Sequence, residues 1–128
     1  MSHPLFVLAA LVTLSACARM PEGLKGLDAP TFKAALETEK AVLLDVRTVA
    51  EHAEARIKAP QVHLPVQELE ARLAELKAPK DQPILVYCRS GNRSAKAGAI
   101  LLKAGYRDVR HLEGGIGAWK AKGFPVEP

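Results

Sequence analysis

Apolar residues along this chain fall into short dense runs, separated by stretches in which they recur at helical spacing. Ala41-Val42-Leu43-Leu44-Asp45-Val46 is almost wholly apolar, which suits a strand covered on both faces. Val62-His63-Leu64-Pro65, Ile84-Leu85-Val86-Tyr87 and Asp108-Val109-Arg110-His111-Leu112 read as three further strands. The intervening segments are helical in pattern. Asp28 or Thr31 can cap a helix over Phe32 to Leu36, Thr48 to Ala55 is helix-compatible, and Pro65 opens an amphipathic stretch to Leu76 with Leu69, Leu73 and Leu76 on one face. Ser94 to Ala104 is rich in Ala and Leu and runs into Gly105, a residue suited to the position just past a helix end. Gly114-Gly115 turns into a short helix whose Trp119 is expected in the core, and Gly123 with Pro125 closes the pattern. Strands separated by helices predict an α/β fold with a mainly parallel sheet flanked by helices.

The N-terminal run Leu5 to Leu14 is apolar but too short to span a bilayer, and small residues follow it. This is the pattern of an export signal. Leu14-Ser15-Ala16-Cys17 is similar to the acylation and cleavage site of bacterial lipoproteins, which makes Cys17 a lipidation site and the mature N-terminus; ordinary cleavage after Ala18 is the alternative. The expected organisation is a signal peptide over 1–16, a tether over 17–27 with Pro21, Gly23 and Gly26, and one folded domain over 28–128. The protein is then exported, periplasmic and held at a bacterial membrane by its N-terminal lipid alone.

At 128 residues there is room for one core, and 48% hydrophobic with 25% charged residues is an ordinary globular composition. The formal charge of +4 is spread along the chain instead of forming a basic run interleaved with aromatics, which argues against a nucleic-acid partner. A small anionic substrate needs only a local positive site. His52, His63 and His111 show no metal-ligand spacing with Cys88, so no metal or other cofactor is expected. Nothing in the pattern calls for a second subunit, and a monomer is expected.

With Cys17 acylated or removed, Cys88 remains as an unpaired thiol in an oxidising compartment. It stands between a strand and a helix start, in Tyr87-Cys88-Arg89-Ser90-Gly91-Asn92-Arg93-Ser94. Unsatisfied amides and the positive end of the helix dipole lower a thiol pKa there, and Arg89 and Arg93 add fixed cations. Gly91 permits a positive φ, so that successive N–H groups can point inward as an anion nest. The expected product is a thiolate nucleophile in a cradle. Cysteine-dependent phosphatases place five residues between Cys and Arg, whereas four separate Cys88 from Arg93 here. The tighter loop suits a single sulfur atom carried on the cysteine.

Three segments together resemble the single-domain rhodaneses, or thiosulfate sulfurtransferases: Leu43-Leu44-Asp45-Val46-Arg47 followed by Glu51, Pro83 to Ser94, and Leu112-Glu113-Gly114-Gly115-Ile116 with Ala118-Trp119. The resemblance covers about residues 28 to 126 and implies a rhodanese-like three-layer sandwich. It also implies transfer of sulfane sulfur from thiosulfate or a similar anionic donor, through a persulfide on Cys88, to cyanide or a thiol acceptor. Arg89, Ser90, Gly91, Asn92, Arg93 and Ser94 would bind the donor and the persulfide. The alternative is a persulfide carrier that relays sulfur to a partner protein with low small-molecule turnover. At Ala55-Arg56-Ile57-Lys58-Ala59-Pro60 the chain departs from the Gly-His-Ile-Pro-Gly-Ala usual in relatives, and Arg56 and Lys58 read as solvated surface. Asp45 and Arg47 read as a structural ion pair.

Overall fold

The computed structural model of the protein describes residues 20–128. The expected signal peptide over 1–16 and the expected lipidation site Cys17 lie outside the described residues. Strand β1 (Lys25–Leu27) and helix α1 (Ala29–Thr38) are followed by β2 (Val42–Asp45), α2 (Val49–Glu54), β3 (Arg56–Ile57) and β4 (Val62–His63). Helix α3 (Val66–Leu69) continues into a 3₁₀ segment (Glu70–Leu76), and β5 (Ile84–Tyr87), α4 (Asn92–Lys103), β6 (Val109–Leu112), α5 (Gly115–Ala121) and β7 (Val126–Glu127) complete the order. Five strands form a parallel sheet in the order β1-β6-β5-β2-β4, and β3 pairs antiparallel with β7 at its margin.

Alternation along the central strands divides the core into two layers. Leu44, Val46, Ile84, Val86 and Cys88 point to the side covered by Val66 and Leu69 of α3 and by Ala97 and Leu101 of α4. Leu43, Leu85, Tyr87 and Leu112 point to the other side, against Ala29, Phe32 and Ala35 of α1 and Ile116 and Trp119 of α5. Both faces of the sheet are therefore dry, which is why β2 and β5 read as continuous apolar runs. Asp28 proves to be the cap of α1, its carboxylate accepting from the Thr31 amide at 2.9 Å. Trp119 is buried and donates its indole N–H to the Pro125 carbonyl at 2.9 Å.

Residues assigned to the tether belong in part to the domain. β1 runs alongside β6 with Gly26 opposite His111, and Leu24 is buried in the layer below α4. Of the two glycines that suggested flexibility, Gly23 turns the chain at φ 89° and Gly26 lies against the Glu113 side chain. A Cβ at Gly26 would lie 2.2 Å from Glu113 Oε1, and one at Gly98 of α4 would lie 2.7 Å from the Leu24 side chain. The stretch after Pro65 is also corrected. Leu69 and Leu76 are buried and Leu73 packs against them, but the winding changes from α to 3₁₀ and kinks at Arg72 (φ −116°, ψ 18°), whose guanidinium reaches both Glu68 and Glu75. Lys77, in the left-handed region at φ 49°, stops it.

The departure at Ala55 to Pro60 forms a turn without glycine. Gln61 Nε2 donates to the Ile57 and Ala59 carbonyls at 2.6 and 3.1 Å, and the Lys58 amide donates to Pro125 at 3.1 Å. Side-chain and β7 contacts supply the restraint that a special backbone conformation would otherwise give. Lys58 is exposed, whereas Arg56 is only half-exposed and lies 3.6 Å from Glu127.

Candidate functional site

Cys88 follows the carboxyl end of the central strand β5, where a parallel sheet leaves its ligand crevice. The loop then turns through Gly91, whose φ of 114° lies in the left-handed region, and enters α4 at Asn92, two residues before the helix start expected from sequence. That turn bends the chain around its own sulfur. The Gly91 amide donates to Cys88 Sγ at 3.0 Å, and Ser94 Oγ stands 3.5 Å from it. Cys88 is 1% exposed, so the sulfur forms the floor of the loop.

Burial alone would push the Cys88 thiol up. Hydrogen bonds from the Ser94 hydroxyl and from the Ser94, Gly91 and Ser90 amides outweigh burial and hold it below its ordinary value. These donors belong to the loop and the first turn of α4, and they stabilise the charged form because an anion accepts them more strongly than a thiol does. Arg93 contributes less than its position in sequence implies. Its guanidinium forms a fork with Glu51 of α2, at 2.7 Å on each arm. Arg89 is exposed and projects into a cleft of about 310 Å³ bounded also by Lys120, Arg47, Glu51 and Glu54. Ser90, Gly91 and Asn92 border a second hollow with His111 and Glu113 on the other flank of the loop.

The three sequence segments meet at this loop. The Ile116 amide donates to the Cys88 carbonyl at 2.9 Å and the Gly117 amide to the Arg89 carbonyl at 3.3 Å, so the start of α5 fastens the strand end. Gly115 permits that approach. A Cβ there would lie 2.3 Å from the Arg89 oxygen and 2.5 Å from the Cys88 oxygen, and its φ is 60°. Asp45 and Arg47 are buried and form a two-armed pair at 2.9 and 2.8 Å, with His52 Nδ1 2.8 Å from the same carboxylate. Arg47 also donates to the Ala55 carbonyl at 2.7 Å, which ties β2 to the end of α2 and so sets the position of Glu51. The pair thus joins β2 to α2, and Arg47 also borders the cleft.

Two residues at the site carry no local signal of their role. Glu51, to which only the resemblance points, takes up one of the two arginines. His111 has no ligand spacing with Cys88, yet its Nδ1 lies 2.9 Å from Ser94 Oγ. Both contacts join residues far apart in sequence, and no local pattern signals them.

The arrangement can ionise a sulfur, hold it among backbone donors and leave free cations at the rim. Residues 28–122 match the family model for the rhodanese-like domain. The chain is 42% identical over 90 residues to a sulfurtransferase of Allochromatium vinosum, covering 70% of this chain and 81% of that protein. It is 36% identical over 98 residues to the thiosulfate sulfurtransferase GlpE of Pseudomonas savastanoi pv. phaseolicola, covering 77% and 89%. Other matched proteins are longer, and the matched region is 20% to 30% of their length. Among solved structures, the rhodanese-like domain of the Anabaena protein Alr3790 superposes with a TM-score of 0.72 at 31% identity, covering 80% of this chain and 77% of that one. The fold, the loop and these likenesses lead to one conclusion: the chain belongs to the rhodanese-like domain family, whose curated relatives include sulfurtransferases.

Proposed function

We propose that this protein is a thiosulfate-type sulfurtransferase that works through a persulfide on Cys88. The Cys88 thiolate attacks the outer sulfur of thiosulfate. A new S–S bond forms on the cysteine as the S–S bond of thiosulfate breaks, and sulfite leaves with the electron pair. Cyanide or a thiolate then takes the outer sulfur, which gives thiocyanate or a new persulfide and returns Cys88 to the thiolate. The loop donors that lower the Cys88 pKa favour the thiolate and so lessen the need for a separate base. The observation that carries this reading is the ring of donors around Cys88 Sγ, which would stabilise a persulfide anion as well as a thiolate. Arg89 and Lys120 at the cleft suit an anionic donor.

The test is the intact mass of the protein before and after thiosulfate, with cyanide added last. A gain of about 32 Da on the peptide bearing Cys88, discharged as thiocyanate, is the expected result. An adduct that forms but passes only to another protein would make the chain a persulfide carrier. Absence of an adduct on a thiol that still alkylates would remove thiosulfate as the donor. The export signal and lipid anchor complete the proposal: labelled fatty acid should enter the protein and be lost on Cys17→Ser, placing a monomeric domain at the periplasmic face of a membrane.

A further inference from the structure

Beneath the cysteine loop lies a buried imidazole with one nitrogen unpartnered. His111 projects from β6 toward the α4 layer and is 4% exposed. Its Nε2 is the one buried side-chain nitrogen or oxygen among the described residues with no hydrogen-bond partner. Its Nδ1 is 2.9 Å from Ser94 Oγ, which in turn is 3.5 Å from Cys88 Sγ and 3.0 Å from the Gly91 carbonyl oxygen. A serine hydroxyl has one proton to give, and the Gly91 carbonyl, the sulfur and a bare Nδ1 compete for it, so the tautomer of the ring decides whether Nδ1 is among the competitors.

With the proton on Nε2, a buried N–H has no acceptor, and the lone pair on Nδ1 competes for the Ser94 proton. The sulfur then loses its hydroxyl donor. With the proton on Nδ1, the ring donates to Ser94 Oγ and the hydroxyl proton is free to turn to the sulfur. The unpartnered atom is then a bare lone pair, which the interior tolerates better than an orphaned N–H. Burial holds the His111 pKa below the ordinary histidine value, against the opposing pull of Glu113, and so favours the neutral ring. The charged group acting on the ring is Glu113, while Arg93 of α4, bound to Glu51 of α2, acts on the sulfur. None of them hydrogen-bonds the ring.

We propose that His111 is a positioning residue for the sulfur nucleophile, its Nδ1–H donating to Ser94 Oγ so that the Ser94 proton is directed onto Cys88 Sγ. The chain of contacts runs from β6 through α4 to the end of β5 and adds a donor that the loop's own backbone cannot supply. The inference rests on the reading of Cys88 as a working thiolate. As the sulfur ionises, its proton leaves to solvent and the ring stays neutral; only the direction of two hydrogen bonds is set.

The experiment follows the alkylation rate of the Cys88 peptide against pH, without any sulfur donor, in the wild-type protein and in His111→Leu, His111→Asn and Ser94→Ala. Alanine removes the hydroxyl donor, and leucine removes the N–H that orients it and leaves its proton to the Gly91 carbonyl. The thiolate-to-thiol ratio at a fixed pH within the titration should fall about tenfold, the scale of one charge-assisted hydrogen bond. Asparagine keeps an N–H donor near the place of Nδ1 and should restore most of it. A folded His111→Leu protein that titrates like the wild type overturns the proposal, and so does an asparagine variant that behaves like leucine. If His111→Leu does not fold, the ¹⁵N shifts of the wild-type imidazole still decide: a proton on Nδ1 supports the relay and a proton on Nε2 overturns it. A titration that responds to His111 in a protein that takes no sulfur from thiosulfate would sustain this inference while removing that donor.

Discussion

Gly115 shows how a single atom governs the candidate site. Its φ of 60° and the 2.3 Å that would separate a Cβ from the Arg89 oxygen leave no room for a side chain against backbone that cannot yield. Gly115→Ala is therefore expected to displace the cysteine loop from α5. Sulfur transfer should fall by more than tenfold and the melting temperature should drop; activity and melting temperature equal to wild type would refute the fastening role. Cys88→Ser is expected to behave oppositely. A hydroxyl is nearly isosteric and keeps the donors of the loop occupied, so transfer should be abolished while the denaturant midpoint scarcely moves. Residual transfer in that variant would exclude the persulfide route. Cys88 and Gly91 could be singled out from sequence because a thiol beside a flexible residue at a helix start is a local pattern. The partner of Arg93 could not.

At the scale of elements, the loop is set by what fastens its two ends. β5 lies at the centre of the sheet between β2 and β6, α4 packs on one face and α5 holds the strand-end carbonyls from the other. β1 completes the sheet beyond β6, and Leu24 just ahead of it fills the space over Gly98. Leu24→Ala is expected to cost about 2–3 kcal/mol, measured by urea unfolding, because the site is buried and a backbone strand anchors it. A loss within the error of the measurement would return residues 24–27 to the role of a tether. The Asp45–Arg47 pair has a larger stake. Arg47→Ala leaves the buried carboxylate with His52 and its own loop amide alone, and about 3 kcal/mol or more of stability should be lost. A double substitution of both residues by apolar ones of similar size should recover part of that loss; no recovery would indicate that Arg47 acts mainly through its bond to Ala55.

For the whole molecule, acid should unfold the protein through carboxylates that the fold keeps ionised. The Arg93 fork holds Glu51 down to about 2 from an ordinary 4.5. Burial opposes ionisation of Asp45, but hydrogen bonds from Arg47 and His52 hold it below its usual range. A carboxylate with a depressed folded pKa contributes fully above its unfolded value and loses that contribution as pH falls toward the folded one. Stability should therefore decline from about pH 4.5 toward pH 2, and Glu51→Gln should make that decline shallower throughout. An unchanged profile in that variant would assign the acid sensitivity to Asp45 and the remaining acids. The sequence by itself determined four of the five strands of the central sheet, the helices at its faces and the position of the cysteine loop. Each is written in a local period of two or 3.6 residues or in a glycine beside a turn, and local sterics and burial need no distant partner to act. The tertiary structure decided the rest: the joining of β1 to the sheet, the change of winding after Leu69, the capture of Arg93 by Glu51 across 42 positions and the meeting of Ser94 with His111 across 17. Those contacts arise because the parallel crossovers bring the ends of β2, β5 and β6 to one edge, where charge and hydrogen-bonding capacity buried together must be matched.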